Sequence, residues 1–284
     1  MDFTESYAPV INDTSWRILI IAMMVMKLEA RIVDVETAFL FGDLEEEVYM
    51  TCKEVHKEDE ALLLLHAIYG LVQAARQWYL KFVEKLTKIG FGGGCPDPCL
   101  FTRRSEKGVV FLAVWVDDSL MVGDEDAINE VIGLLRDEDF ILKTEGSLDN
   151  YLSCEITMNK DKTIGWIHQP HLITKLEKRF GEMVKGRQKY KTPSAPGGVT
   201  LKNTGETVGD KEHAMYRSGV GMLLFLVKHT RPDIANGVRK LSKALDSPSE
   251  AAFKDMLRMV KFVLDTRGLA IKIAPKTVDM EDIN

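Results

Sequence analysis

The chain predicts an α+β fold, and three observations carry that expectation. An apolar hairpin, FLAVWVDDSLMVG at 111–123, is interrupted only by two adjacent carboxylates and one serine. Apolar residues at helical spacing fill nearly all of 214–264. Glycine- and proline-rich stretches at 90–98 and 181–209 separate these segments. Strand and helix patterns alternate before the second stretch and only helix patterns follow it, so a division is expected within 181–212.

The elements follow in order. Residues 15–27 predict a buried helix with Ser15 as its N-cap. Residues 31–35 predict a short strand, Gly42 and Asp43 break the pattern, and 45–50 begins another strand. Leu71, Trp78, Phe82 and Leu86 lie near helical spacing, which predicts a helix over 67–89 entered through Gly70. Strands are expected at 109–116 and 119–122, meeting at Asp117 and Asp118. An amphipathic helix spans 126–140, a second hairpin 151–158 and 163–167, and a basic helix 172–180. Helices at 216–228, 231–245 and 248–264 complete the chain.

With 284 residues and 45% hydrophobic content, a substantial core is expected and disorder is not. The apolar run 18–26 is too short for a membrane span, and MDFTE at the N-terminus is not a signal peptide, so no targeting signal is readable and an intracellular chain is expected. The spacing of Cys52, Cys95, Cys99 and Cys154 argues against a disulfide framework, and Cys95 with Cys99 lacks a second ligand pair for zinc. The net charge of −6 hides an asymmetry: residues 1–150 hold 14 basic and 28 acidic side chains, residues 151–284 hold 23 and 15. An acidic half joined to a basic half suits a carboxylate site beside a part that grips a polyanion, although chance drift of surface charge gives the same balance.

Asp117 and Asp118 need a partner for their charge, because unpaired carboxylates in an apolar strand cost several kcal/mol or take up protons. In a tight turn both can aim at one point. Asp34, in RIVDVETAFL, also ends an apolar strand. If the strands are neighbours, three carboxylates converge, and such a group is stable only around a cation. Hard oxygen ligands favour Mg2+, and two ions about 4 Å apart form a site for in-line phosphoryl displacement. A solvent-facing pair of turn aspartates is the plain alternative.

Seven stretches resemble, in family order, the reverse transcriptase of copia-type long-terminal-repeat retrotransposons. They are DFTESYAPV (2–10), VDVETAFLFGDLEEEVYM (33–50), IYGLVQAARQWY (68–79), VWVDDSLMVG (114–123), YLSCEI (151–156), MYRSGVGMLLFLVKHTRPDIANGV (215–238) and VLDTRGL (263–269). The resemblance implies a right-hand polymerase fold: a palm of antiparallel sheet and helices with partial fingers over 1–158, a thumb-like basic segment and linker over 159–212, and a helical connection region over 213–284. It implies Asp34, Asp117 and Asp118 as catalytic residues and ligands of two Mg2+ ions, with Mn2+ as a substitute. By motif match Phe39 is the aromatic gate against the ribose 2′-hydroxyl, or else an ordinary packed ring. Gln73 and Arg76 lie over nucleotide and template, or are exposed polar residues of a helix start, and Lys143 lies near the pyrophosphate, or is a solvated lysine. The implied partners are an RNA or DNA template with its primer, deoxynucleoside triphosphates and other parts of a retrotransposon polyprotein, with no membrane. The implied compartment is a cytoplasmic virus-like particle with a nuclear phase.

Basic residues Lys175, Lys178, Arg179, Lys185 and Arg187, with Lys189 and Lys191, are expected to grip duplex phosphates or to form a solvated face. The Arg231-Pro232-Asp233 run reads as a structural helix start. Departures from the family are Trp115 where Tyr is common, Val72 where Lys is, Ala75 where Pro is and Ser153 where Gly is. The basic strands of the fingertips are not seen before DFTESYAPV, and no ribonuclease H domain is expected in the chain. The readings that stand are an RNA-directed DNA polymerase domain, weak as an isolated fragment; a non-catalytic remnant that at most binds nucleic acid; and another palm-based nucleotidyl enzyme such as a cyclase.

Overall fold

The computed structural model describes residues 6–51, 61–93, 96–145, 148, 150–195 and 207–275. The backbone divides between residues 148 and 149, so the first unit is the N-terminal half and the second covers 149–274. That boundary precedes the stretch 181–212, because the helix before that stretch packs against the last helix of the chain.

In the first unit, α1 (Asp13–Met26) is capped by Asn12, whose side chain accepts from the Thr14 N–H at 2.9 Å. Ser15 is therefore not the cap; its hydroxyl donates to Asp97 at 2.6 Å, which also takes the Asn12 N–H. Trp16, Leu19, Ile20, Met23 and Met24 are buried, but Ile18, Ile21, Val25 and Met26 are exposed, so the helix is apolar on both faces and buried on one. Then come β1 (Glu29–Val35), a short 3-10 helix (Ala38–Phe41), and the small pair β2 (Tyr49–Met50) and β3 (Leu62–Leu63). Of the strand expected over 45–50, only its last two residues pair.

Helix α2 (Ala74–Lys88) begins later than the expected residue 67, because Gly70, at φ +105°, turns the chain and 71–73 remain a turn. It is followed by β4 (Leu100–Ser105), β5 (Gly108–Trp115), β6 (Asp118–Gly123), α3 (Glu125–Asp137) and β7 (Leu142–Glu145). One antiparallel sheet runs in the order β4-β5-β6-β1-β7. The central strands β5, β6 and β1 are the apolar ones; α1 and α3 both pack on β5 and β6. Trp78 and Phe82 of α2 stack at 4.9 Å and meet Phe140 edge-on, while Phe41 also meets Phe140, at 4.9 Å. Cys99 is fully buried there and its thiol is pushed up to about 12 by that burial, with Asp97 adding to the shift, so it is an inert packed thiol. Cys52 and Cys95 lie outside the described residues.

The second unit contains β8 (Glu155–Met158), β9 (Gly165–His168), α4 (Pro170–Val184), α5 (Asp210–His229), a 3-10 turn (Pro232–Ile234), α6 (Ala235–Ser242), α7 (Glu250–Asp265) and β10 (Ile271–Ile273). Its sheet has the antiparallel order β10-β9-β8. Ile173, Leu176, Phe180 and Val184 recur at three- and four-residue steps along α4 and share a core with Tyr216, Val220 and Leu223 of α5 and with α7. The helix expected over 231–245 begins as a 3-10 turn, as Pro232 would favour, and ends at Ser242.

Arg231 is almost completely buried beside that turn. Its guanidinium donates to both Asp233 oxygens at 2.9 Å and to the Thr266 hydroxyl at 2.8 Å, and lies 5.7 Å from the Phe262 ring. It therefore ties the α5–α6 corner to the end of α7. Arg231→Met is expected to destabilise this unit by about 3 kcal/mol, because a buried fork of charge-assisted bonds is lost. Arg231→Lys is expected to recover less than half of that, since an ammonium cannot fork. Urea denaturation would check both, and a stable Met variant would show the corner to be held by packing alone.

Candidate active site

The site is assembled by register. Asp34, next to the last residue of β1, lies directly opposite Asp118, the first residue of β6. Directly opposed residues share one face, with Cα atoms about 5 Å apart. Asp118 also pairs with Trp115 of β5, which leaves Val116 and Asp117 as a two-residue turn. The turn expected at Asp117 and Asp118 is thus one residue earlier: Asp117 is in it and Asp118 is already strand. The Val35 N–H donates to the Asp117 carbonyl at 3.2 Å, which fastens the turn to β1. All three aspartates are half-buried.

Val116 has φ +56°, a left-handed conformation that a β-branched residue resists at a cost of about 1–3 kcal/mol. The Trp78 indole N–H donates to its carbonyl at 2.7 Å. Helix α2, through a buried tryptophan, therefore holds the turn in a shape its own sequence does not favour.

Of the other expected residues, Phe39 and Lys143 lie on elements that adjoin this edge, and Gln73 and Arg76 lie at the start of α2. Phe39, on the 3-10 helix that follows β1, is half-buried rather than packed in the core, and its ring lies 4.5 Å from that of Tyr69. Burial raises the pKa of the Tyr69 phenol, and the charges of Asp117 and then Asp34 raise it further. Lys143 stands opposite Asp34 on β7; it is largely exposed and its ammonium binds Glu36 at 2.8 Å. Its pKa is raised, first by the Glu36 hydrogen bond and charge and then, against a little desolvation, by Asp34. Gln73 is buried at the start of α2, so it is not an exposed polar residue of a helix start. Arg76 donates to the Tyr7 carbonyl at 3.2 Å.

Tyr69, Glu36 and Trp78 were not singled out as site residues from the sequence. Tyr69 and Trp78 lie within the stretch IYGLVQAARQWY and Glu36 within VDVETAFLFGDLEEEVYM, but no motif match gives them a role.

Among the described residues no group of three or more His, Cys, Asp or Glu side chains is placed to hold a metal ion. The residue types nevertheless suit a hard divalent cation: Asp34 and Asp118 stand in direct register and Asp117 lies in the adjoining turn, and all three are carboxylates.

The basic residues lie in the second unit. Lys175, Lys178, Arg179 and Lys185 are exposed and Arg187 is half-buried. Lys178 and Lys185 line a groove of about 550 Å3 between α4 and α7 that also holds Glu177, Glu182 and Asp265. There Arg267 pairs with Glu177 at 2.6 Å, Lys261 with Asp265 at 2.5 Å and Lys185 with Glu182 at 3.2 Å, which leaves little net charge in the groove. Lys175 and Arg179, four residues apart on α4, are not among its lining residues.

Among the described residues no helix is long and apolar enough to cross a membrane. No solved structure matches the chain. It is 33% identical to the Retrovirus-related Pol polyprotein from transposon TNT 1-94 of Nicotiana tabacum, over 94% of this chain and 21% of that protein. It is 30% identical to the Retrovirus-related Pol polyprotein from transposon RE1 of Arabidopsis thaliana, over 96% of this chain and 18% of that protein. The putative transposon Ty5-1 protein of Saccharomyces cerevisiae is 26% identical over 84% of this chain and 77% of its own length. The chain thus spans about a fifth of the length of the first two relatives. The family profile described as reverse transcriptase (RNA-dependent DNA polymerase) matches residues 1–194, and the chain belongs to that family.

Proposed function

We propose that this chain is the RNA-directed DNA polymerase part of a transposon Pol polyprotein and transfers deoxynucleotides to the 3′-hydroxyl of a primer on an RNA or DNA template. The pairing of Asp34 with Asp118, beside Asp117 in the adjoining turn, is the observation that carries the reading. In it the five-stranded sheet is the palm, β2 and β3 belong to partial fingers, and the helices of the second unit serve as thumb and connection.

Asp34, Asp117 and Asp118 would hold Mg2+, or Mn2+ in its place. When bound, two such ions lower the pKa of the attacking hydroxyl and stabilise the leaving pyrophosphate oxygen. The chain's own side chains do the rest by positioning and charge. Phe39 walls off the 2′ position of the incoming sugar. Gln73 and Arg76 lie over the nucleotide and template. Lys143, once it leaves Glu36, faces the triphosphate. Lys175, Arg179 and Arg187, with Lys178 and Lys185 of the groove, contact backbone phosphates of the duplex, so binding weakens steeply with salt.

One observation favours a second reading, that of a remnant which binds nucleic acid without extending it. Val72 is 59% exposed where the family resemblance implies a lysine, so an apolar side chain stands in water at the place of a cation. Single-nucleotide primer extension on an RNA template with Mg2+ decides between the two, run beside a gel shift with the same duplex. Slow extension supports the polymerase. Duplex retention with no extension supports the remnant, and neither activity overturns both.

A further inference from the structure

We propose that Tyr69 is the platform that fixes Phe39, and through it sets the preference for deoxyribose over ribose at the incoming nucleotide. The inference rests on the polymerase reading and assigns a positioning residue to that same site.

Four features place Tyr69 there. The Leu71 N–H donates to the Ile68 carbonyl at 3.2 Å, closing a turn with Tyr69 and Gly70 at its centre. Gly70, at φ +105°, supplies the conformation that a side chain would oppose. The Ala67 N–H donates to the Gly42 carbonyl at 2.9 Å, which ties this loop to the end of the 3-10 helix that carries Phe39. The two rings then meet at 4.5 Å with a 37° tilt. Tyr69 is 57% exposed, so core packing is not what requires an aromatic here.

Phe39 needs such a support. It sits on a four-residue 3-10 helix and is only half-buried. A sugar wall excludes a hydroxyl only if it cannot swing aside, and a ring stacked on a second ring loses that freedom.

The test compares incorporation of matched deoxy- and ribonucleotides by the full chain with Mg2+. Tyr69→Ala is expected to reduce the preference about tenfold, mainly through a lower KM for the ribonucleotide, with the deoxynucleotide kcat little changed. Tyr69→Phe is expected to restore the preference to within about twofold, since the ring rather than the hydroxyl makes the platform. The double variant Phe39→Ala/Tyr69→Ala is expected to be no less selective than Phe39→Ala alone, because Tyr69 acts through Phe39. An unchanged preference in Tyr69→Ala overturns the proposal, and so do additive losses in the double variant. Thermal unfolding checks that each variant is folded, with Tyr69→Leu as the replacement if Ala is not. Should the chain extend no primer, the polymerase reading fails by itself. The same comparison is then made on equilibrium binding of the Mg2+ complexes of the two nucleotides, and absence of a Tyr69-dependent preference overturns the platform.

Discussion

Asp117→Asn is expected to lower Mg2+-dependent primer extension by at least about 100-fold while leaving the fold intact. Asparagine keeps the shape of aspartate and tolerates the same turn conformations. The bond from Val35 to residue 117 uses the backbone carbonyl and is untouched. What disappears is one negative charge at the edge where β1 and β6 begin to part. Without a bound cation that charge sits among like charges, so the apo variant is expected to melt no lower than the parent. With millimolar Mg2+ the order reverses: the parent gains thermal stability by ligand linkage and the variant gains less. Two readouts therefore report on one site, and only one needs catalysis. Extension that survives the substitution would remove Asp117 from the chemistry.

Gly123→Ala is expected to destabilise the first unit by about 3 kcal/mol, or about 10 °C in Tm. Gly123 ends β6 opposite Val110 of β5 and Glu29 of β1. A Cβ there would stand 2.2 Å from the Val109 carbonyl oxygen and 2.9 Å from the Val110 Cα. Both are backbone atoms in a paired strand, so no side chain can swing away to make room. The Val109 carbonyl also accepts the Asp124 N–H at 3.1 Å, and the Asp124 carboxylate takes the Val109 N–H at 2.8 Å. Alanine would open this double link just where α3 begins. Because β5 and β6 are one ladder up to Trp115 and Asp118, extension activity is expected to fall at temperatures well below the new Tm. Urea unfolding within about 1 kcal/mol of the parent would show that the strands can part there without loss.

Some elements were legible because burial follows a simple period. Trp78, Phe82 and Leu86 mark α2, and the apolar run before Asp117 marks β5. Others were hidden for physical reasons. β4, which reads LFTRRS, and β7, which reads LKTE, are the two edges of the sheet, where charged residues are favoured and alternation is weak. The cap of α1 is Asn12 and not Ser15, because Ser15 has the chemistry of a cap but spends its hydroxyl on Asp97, far off in sequence. Gly70 closes a separate turn ahead of α2 instead of opening the helix, because its φ of +105° bends the chain before Ala74. At the candidate site the carboxylates were found from their charge in apolar surroundings. Their register could not be, since a valine in the left-handed region is not something local preference predicts.

That valine has a consequence for how the carboxylates stay aligned. A glycine or asparagine at position 116 would adopt the same bend willingly, and would also adopt others. Valine bends only under compulsion, from the indole of Trp78 on one side and the β1 backbone on the other. The alignment of the acidic edge is thus imposed from outside the hairpin, so a change in how α2 seats itself would reach the carboxylates without touching any of them.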